Sequence, residues 1–210
     1  SVGGLGTVSL TGNNHVGTIA GNGTVGTLTF NNDQSLNVGS MDATGSVLLT
    51  STGAASDLTL SNGAFLTSAT TGNAITLAAG RHFINQSNGS ALFTPNGRWL
   101  VYSDAPADTV LGGVTGFKRY NLSYSASSSS SISQPGNGFV YSIAPVLNIA
   151  ANSKSRIYGD INPALDGIIT GLIDGDTLAA ATSGSATYST AATTSNGVGA
   201  YAIQADLGTL

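Results

Sequence analysis

The sequence predicts an all-β chain that begins as a right-handed parallel β-helix, and three observations support this fold class. Residues that favour helices are scarce, with no Glu at all, whereas Thr, Ser, Asn and Gly are abundant, Gly alone providing 29 of 210 residues. Short runs that alternate apolar and polar residues recur about every 20 residues, a spacing typical of repeat architectures. Turns rich in Gly and Asn separate these runs, and both residues tolerate the backbone of tight corners.

The alternating runs form two interleaved series. The first comprises residues 7–10, 27–30, 47–49 and 65–67, and the second comprises residues 16–19, 36–38, 58–60 and 74–77. Alternation places one set of side chains inward and a Thr- and Ser-rich set outward. An antiparallel β-sandwich with short hairpins would also alternate, but the regular spacing and the small or aliphatic inward residues favour stacked parallel strands (a solenoid).

Residues 81–135 have a different composition. Seven of the fourteen aromatic residues lie between Phe83 and Tyr124, and four of the six basic residues lie between Arg81 and Arg119. The end of such a stack must be covered, because an open strand edge pairs with other chains. We therefore expect a β-helix end with an aromatic capping segment over residues 1–124. A Ser-rich linker or loop is expected over residues 125–143.

Residues 144–210 predict a separate, small β domain. Strand-like runs such as residues 146–151, 169–173 and 198–203 alternate with Asn-Pro and Gly-Asp turn signals. The chain begins and stops within its patterns, so we expect it to be a piece of a longer protein. The small domain is then incomplete at its C-terminus in this expectation.

Two stretches resemble known families. Residues 83–124, with Thr94-Pro95-Asn96-Gly97-Arg98-Trp99-Leu100-Val101-Tyr102 and Phe117-Lys118-Arg119-Tyr120, resemble the segment that closes the β-helix of filamentous-haemagglutinin-like exoproteins. The stretch from Pro145 onward resembles the MBG repeat, a mostly-β, glycine-rich module. It carries Tyr158-Gly159-Asp160, Asn162-Pro163, Gly171-Leu172, Asp174-Gly175-Asp176-Thr177-Leu178 and Val198-Gly199-Ala200-Tyr201-Ala202-Ile203.

The resemblance implies a large bacterial adhesin, exported by two-partner secretion through an outer-membrane transporter. It also implies a secreted location, either extracellular or on the cell surface, and a role in attachment, biofilm matrix or filament formation. The family defines no catalytic residues. The export domain expected at the N-terminus of such proteins is not evident in this sequence, so the secretion route rests on the family alone.

An enzyme is not predicted. Glycoside hydrolysis requires two carboxylates that flank one bond. The first region offers only Asp33, Asp42 and Asp57, and these fall at unequal positions of the repeat. His15 and His82 are far apart and Cys is absent, so no zinc site or other cofactor is expected. Asp174 and Asp176 form a turn that leaves calcium binding open.

A ligand contact is predicted from the capping segment. Arg98, Trp99, Tyr102 and Tyr120 offer aromatic faces and a cation that could hold a glycan, with packing in the cap as the alternative. The partner is then a polysaccharide or a host or cell-surface ligand, and self-association into filaments stays open. A net charge of −4 lacks the basic footprint of nucleic-acid binding. The alternative function is a polysaccharide-binding or polysaccharide-acting β-helix protein.

Overall fold

The computed structural model describes residues 2–125, 128–173 and 176–208, which divide into two compact units at Ala144 and Pro145. In these residues the helices are a four-residue helix α1 (Leu178–Ala181) and two 3-10 turns, Pro106–Asp108 and Ser129–Ser131. The prediction of a nearly all-β chain is confirmed. The two units are described separately below.

The first unit contains fourteen strands arranged in two parallel sheets. The larger sheet has the order β11-β8-β5-β3-β6-β9-β12-β14-β13, with β1 also on β3, and the smaller has the order β10-β7-β4-β2. The strands are β1 (Val2–Asn14), β2 (Thr18–Ile19), β3 (Gly21–Asn32), β4 (Leu36–Val38), β5 (Met41–Ala43), β6 (Val47–Ser51), β7 (Leu58–Leu60), β8 (Leu66–Ser68), β9 (Gly72–Ala79), β10 (Phe83–Asn85), β11 (Leu92–Phe93), β12 (Gly97–Ser103), β13 (Phe117–Arg119) and β14 (Gly138–Tyr141).

The larger sheet is curled. Strand β3 pairs with β5 through Thr24 and Val25, and with β6 through residues 28–32, so one strand serves two rows of neighbours. The result is a curled parallel sheet that is compatible with a β-helix. The smaller sheet stacks β2, β4, β7 and β10, again in parallel.

The core consists of apolar ladders that run across the strands. Paired positions repeat the same kind of side chain because each strand places its inward residues over those of its neighbour. One ladder joins Val8, Leu28, Val47, Ile75 and Trp99, and the next joins Leu10, Phe30, Leu49, Leu77, Val101 and Phe139. In the smaller sheet, Leu36, Leu58 and Phe83 form a third ladder. Except at β1, these side chains are buried.

The two predicted series are correct up to residue 60 and wrong beyond it. Residues 65–67 overlap β8, which pairs with β5 in a third row, whereas residues 74–77 lie in β9 and continue the first series. The reason is a change in repeat length. The step from Val8 to Leu28 to Val47 is 20 and then 19 residues, but Val47 pairs with Ile75, 28 residues later.

The end of the first unit is built out of sequence order. Strand β14 lies between β12 and β13, although β13 precedes it in the chain. Residues 138–141, which were expected inside the Ser-rich linker or loop over 125–143, therefore form a fully buried strand of the sheet. Gly138 is required there, because a Cβ at this position would lie 2.3 Å from the Phe117 ring.

A second, smaller core lies on the other face of this part of the sheet. Its buried members are Ala78, Leu100, Tyr102, Ile132 and Val140, against which Phe117, Leu122 and Tyr124 pack. Ile132 directly follows the run of serines, so the Ser-rich segment returns to the sheet rather than leaving it. We name described residues 120–125 and 128–137 the strap.

The second unit consists of two antiparallel hairpins and α1. Strand β15 (Asn148–Ala151) pairs with β16 (Gly167–Thr170), and β17 (Thr187–Thr190) pairs with β18 (Ile203–Asp206). The Tyr188 ring packs on Gly167, where a Cβ would lie 2.3 Å from it. No described residue of this unit is fully buried.

Candidate functional site

The predicted glycan-contact residues of β12 point to opposite faces of the sheet. Trp99 belongs to the main core, with 2% exposure, and meets Phe139 edge-on at a centroid distance of 5.1 Å. Tyr102 belongs to the smaller core, also with 2% exposure, and meets Tyr124 edge-on at 5.1 Å. Burial raises the pKa of Tyr102 to about 12. Both rings pack in the interior, where a sugar does not reach them.

Arg98 holds the strap against the sheet. Its guanidinium donates to the side-chain oxygen of Asn73 at 2.6 Å and to the carbonyls of Ile132 at 2.7 Å, Ser129 at 3.4 Å and Gln134. Hydrogen bonds from a charged group are stronger than those between neutral groups. Arg98 therefore acts as a clamp on the smaller core.

Tyr120, the fourth predicted contact residue, is half-buried. Its ring stacks on Tyr141 with a centroid distance of 5.7 Å and an interplanar angle of 16°. The structure thus places the four residues in two cores, a clamp and a stacked pair, and does not bring them onto one exposed face.

The carboxylates of the first unit are engaged with other side chains. Asp57 accepts two hydrogen bonds from Arg81, at 2.8 and 2.7 Å, and one from the backbone of His82 at 3.2 Å. The hydrogen bond from Arg81 is the main cause that lowers the pKa of Asp57. Asp33 lies 2.7 Å from the Nδ1 atom of His15. Asp57 is therefore held as a carboxylate, which is unsuited to the general-acid role in sugar cleavage.

Within the described residues, no group of three His, Cys, Asp or Glu side chains is arranged to hold a metal ion. Asp174, one half of the calcium pair left open above, lies outside the described residues. Calcium binding at Asp174 and Asp176 stays a prediction.

A groove of about 460 Å³ lies in the second unit, a volume within the range of ligand sites. Its walls are the loop between β15 and β16, residues 152–165, and the loop between β17 and β18, residues 192–201. Two tyrosines line it, Tyr158 with 64% exposure and Tyr201 with 44%. Both lie in stretches that carry the MBG resemblance, but the sequence gave no sign that the two loops face each other.

Hydrogen bonds between side chains and carbonyls join the two walls. Arg156 donates to the carbonyl of Asp160 at 2.7 Å and to that of Thr193 on the opposite loop. Asn162 donates to the carbonyl of Ala192, also on the opposite loop, at 2.7 Å. These contacts fix the width of the groove without a buried core.

Tyr201 and Tyr158 are set by the loops that carry them. The Tyr201 hydroxyl donates to the carbonyl of Gly197 at 2.9 Å, so the ring lies along its own loop. Tyr158 is followed by Gly159, whose φ of 91° turns the chain in a conformation that favours glycine. The turn leaves the Tyr158 ring exposed.

The groove is electrostatically biased. Lys154 and Arg156 are the only basic residues between 145 and 210, and both line it. None of its described lining residues carries a carboxylate. Lys154 pairs with Asp166 at 2.6 Å, and this contact lowers the pKa of the Asp166 carboxyl. Asp166 itself is half exposed and lies outside the lining.

Comparison with known proteins identifies one domain. Residues 147–210 match the family model of the MBG domain (YGX type), so an MBG-type domain is present there and that part of the sequence resemblance is confirmed. The Tyr158-Gly159-Asp160 turn lies within the matched range. No curated protein and no solved structure matches the chain. Across residues 2–125, 128–173 and 176–208, no helix has the length and apolar character needed to cross a membrane.

Proposed function

We propose that this chain is a structural and adhesive segment of a large secreted bacterial surface protein. The observation that carries the proposal is the succession of two modules along one chain, a curled parallel sheet built on ladders and then an MBG-type domain. MBG domains are typical of large surface or repeat proteins. Attachment, biofilm matrix or filament formation is the role we assign to the whole protein.

The first unit is, in this proposal, the end of a right-handed parallel β-helix. Support comes from the ladders, in which inward positions of one strand repeat on the next. Crossovers between parallel strands of one sheet are right-handed in about 98% of known cases, which favours that hand. Chain segments that stack in this way build long, rigid rods with few charged residues.

The edge at β13 supports the assignment of a terminal segment. This strand has three residues, and two of them, Lys118 and Arg119, are basic. Short, charged edge strands discourage further pairing. The edge therefore favours closure of the sheet at β13, as expected where a rod ends and another kind of domain follows in the chain.

Secretion through an outer-membrane transporter, as in filamentous-haemagglutinin-like exoproteins, is part of the proposal. Its support is the resemblance of residues 83–124 to the closing segment of those proteins. Sequencing of the locus tests this part. A transporter gene beside a long reading frame that encodes this chain is expected, and a short frame that stands alone argues against it.

Adhesion is tested by attachment. Beads coated with the purified 210-residue chain should bind to bacterial cells or to a polysaccharide matrix more strongly than beads coated with an unrelated β protein of similar charge. Removal of polysaccharide or of surface protein from the target then identifies the class of ligand. Equal retention of both kinds of bead on every target would contradict an adhesive role.

A further inference from the structure

The groove of the second unit combines three features of a carbohydrate site. It presents exposed tyrosine rings, whose apolar faces pack against the C–H face of a sugar while the hydroxyls stay hydrated. It is lined by amide and hydroxyl side chains, among them Asn152, Ser155 and Asn196, which donate and accept hydrogen bonds. Its walls are fixed in advance by the bonds of Arg156 and Asn162, which reduces the entropic cost of binding.

The charge of the groove indicates an anionic ligand. Arg156 has five N–H donors, and the contacts among described residues use two of them. Lys154 has three, of which one is directed to Asp166. In a chain with a net charge of −4, the only cations of this unit thus converge on a groove without carboxylates among its described lining residues. Such a site concentrates negative ligands.

We propose that this groove binds an acidic polysaccharide, with a uronate carboxylate at Lys154 and Arg156 and a neighbouring sugar ring against Tyr158. The proposal rests on the adhesive role proposed above and names a ligand for it. A peptide is less suited, because peptides that add to sheets need an unpaired strand edge, whereas loops form most of this groove.

Binding of the full 210-residue chain to oligomers of polygalacturonate tests the proposal, measured by titration calorimetry. The control ligand is the same oligomer with its carboxylates methyl-esterified. We expect the free acid to bind and the ester to bind at least about tenfold more weakly, because charged carboxylates form the stronger hydrogen bonds. Affinity for the free acid should fall as salt concentration rises.

Two variants locate the site. Tyr158→Ala removes the exposed ring and Lys154→Gln removes a cation, and each should weaken binding about tenfold. Ile168→Ala is the matched control, since Ile168 is an exposed apolar residue of β16 outside the groove. Unchanged thermal midpoints show that the variants are folded, and loss of folding in one leaves the other as the test.

Several outcomes would overturn the proposal. These are no binding of the free acid, equal binding of acid and ester, or unchanged affinity in both groove variants. Bead attachment separates this failure from failure of the adhesive role. Attachment that persists in Tyr158→Ala, or that is lost only when surface protein is digested, rejects the groove as the polysaccharide site and leaves adhesion standing. Absence of attachment by the unmodified chain rejects adhesion itself.

Discussion

The two units of this chain are held together by different forces. In the first unit, apolar side chains stack from strand to strand, and the fully buried hydrophobic residues of the described chain all lie between Ile19 and Tyr141. In the second unit, two short hairpins leave large apolar side chains such as Ile157 and Val198 exposed, and loop-to-loop hydrogen bonds define its main concave surface. The first arrangement gives rigidity along a rod, whereas the second leaves side chains available to a ligand.

This difference makes the cost of truncating a side chain depend on the unit. Leu49→Ala removes the centre of a ladder between Phe30 and Leu77 and should lower the free energy of unfolding by about 2–5 kcal/mol. Val198→Ala in the second unit, where the side chain is exposed, should change it by less than about 0.5 kcal/mol. Urea denaturation followed by circular dichroism measures both. Equal effects would refute the contrast.

The closing strands offer a sharper test of packing in the first unit. Gly138→Ala places a Cβ where the Phe117 ring lies and should cost about 1–3 kcal/mol through overpacking. Trp99, the single tryptophan, lies in contact with Phe139 of the same strand and reports the displacement by its fluorescence. Gly6→Ala in β1 is the control, because a Cβ there meets no described atom within 4 Å. An unshifted spectrum with full stability in Gly138→Ala would show that β13 gives way freely.

The clamp at Arg98 should have a smaller, local effect. Arg98→Lys keeps the charge but loses the planar fork, and the strap should loosen at a cost of roughly 1.5 kcal/mol. Limited proteolysis should then cleave the Ser-rich segment faster than in the parent chain. Arg119→Lys, at the exposed edge strand, is the matched control. Cleavage at the parental rate would mean that the smaller core holds the strap without Arg98.

The smallest expected effect is that of the ion pair between Asp57 and Arg81. Because the folded state lowers the pKa of Asp57 below its ordinary value of 3.8, the pair contributes stability above about pH 4 and loses it as pH falls further. Arg81 is partly exposed, so Asp57→Asn should cost only about 0.5–1 kcal/mol at pH 7. Unfolding curves at pH 7 and pH 2.5 should show the difference from the parent disappear. A difference that persists at pH 2.5 would point to packing instead.

Much of the first unit could be predicted because its period is written in the sequence. Alternation and spacing located β1, β3, β4, β6 and β7. The third row, β5 with β8 and β11, was missed because its strands have only two or three residues, too few for a pattern to show. The place of β14 was missed because chain order normally predicts neighbouring strands, and here β14 separates β12 from β13.

The candidate sites were harder to predict for a related reason. Trp99 and Tyr102 have the composition of a sugar site, but the residues that cover Tyr102, Tyr124 and Ile132, come from the later strap. The groove depends on contacts such as that of Arg156 with Thr193, which lie 37 residues apart. Pairings of this kind are set by tertiary structure and leave no local signal in the sequence.

The position of β14 has a consequence for the order of assembly. Leu100 of β12 takes its partner from Gly138, and the strand that finally covers the edge, β13, pairs with β14 and not with β12. A chain that emerges from its N-terminus therefore holds a finished stack with an uncovered last strand until residue 138 is available. The segment rich in serine sets the length of that delay, because it must emerge in full before the sheet can close.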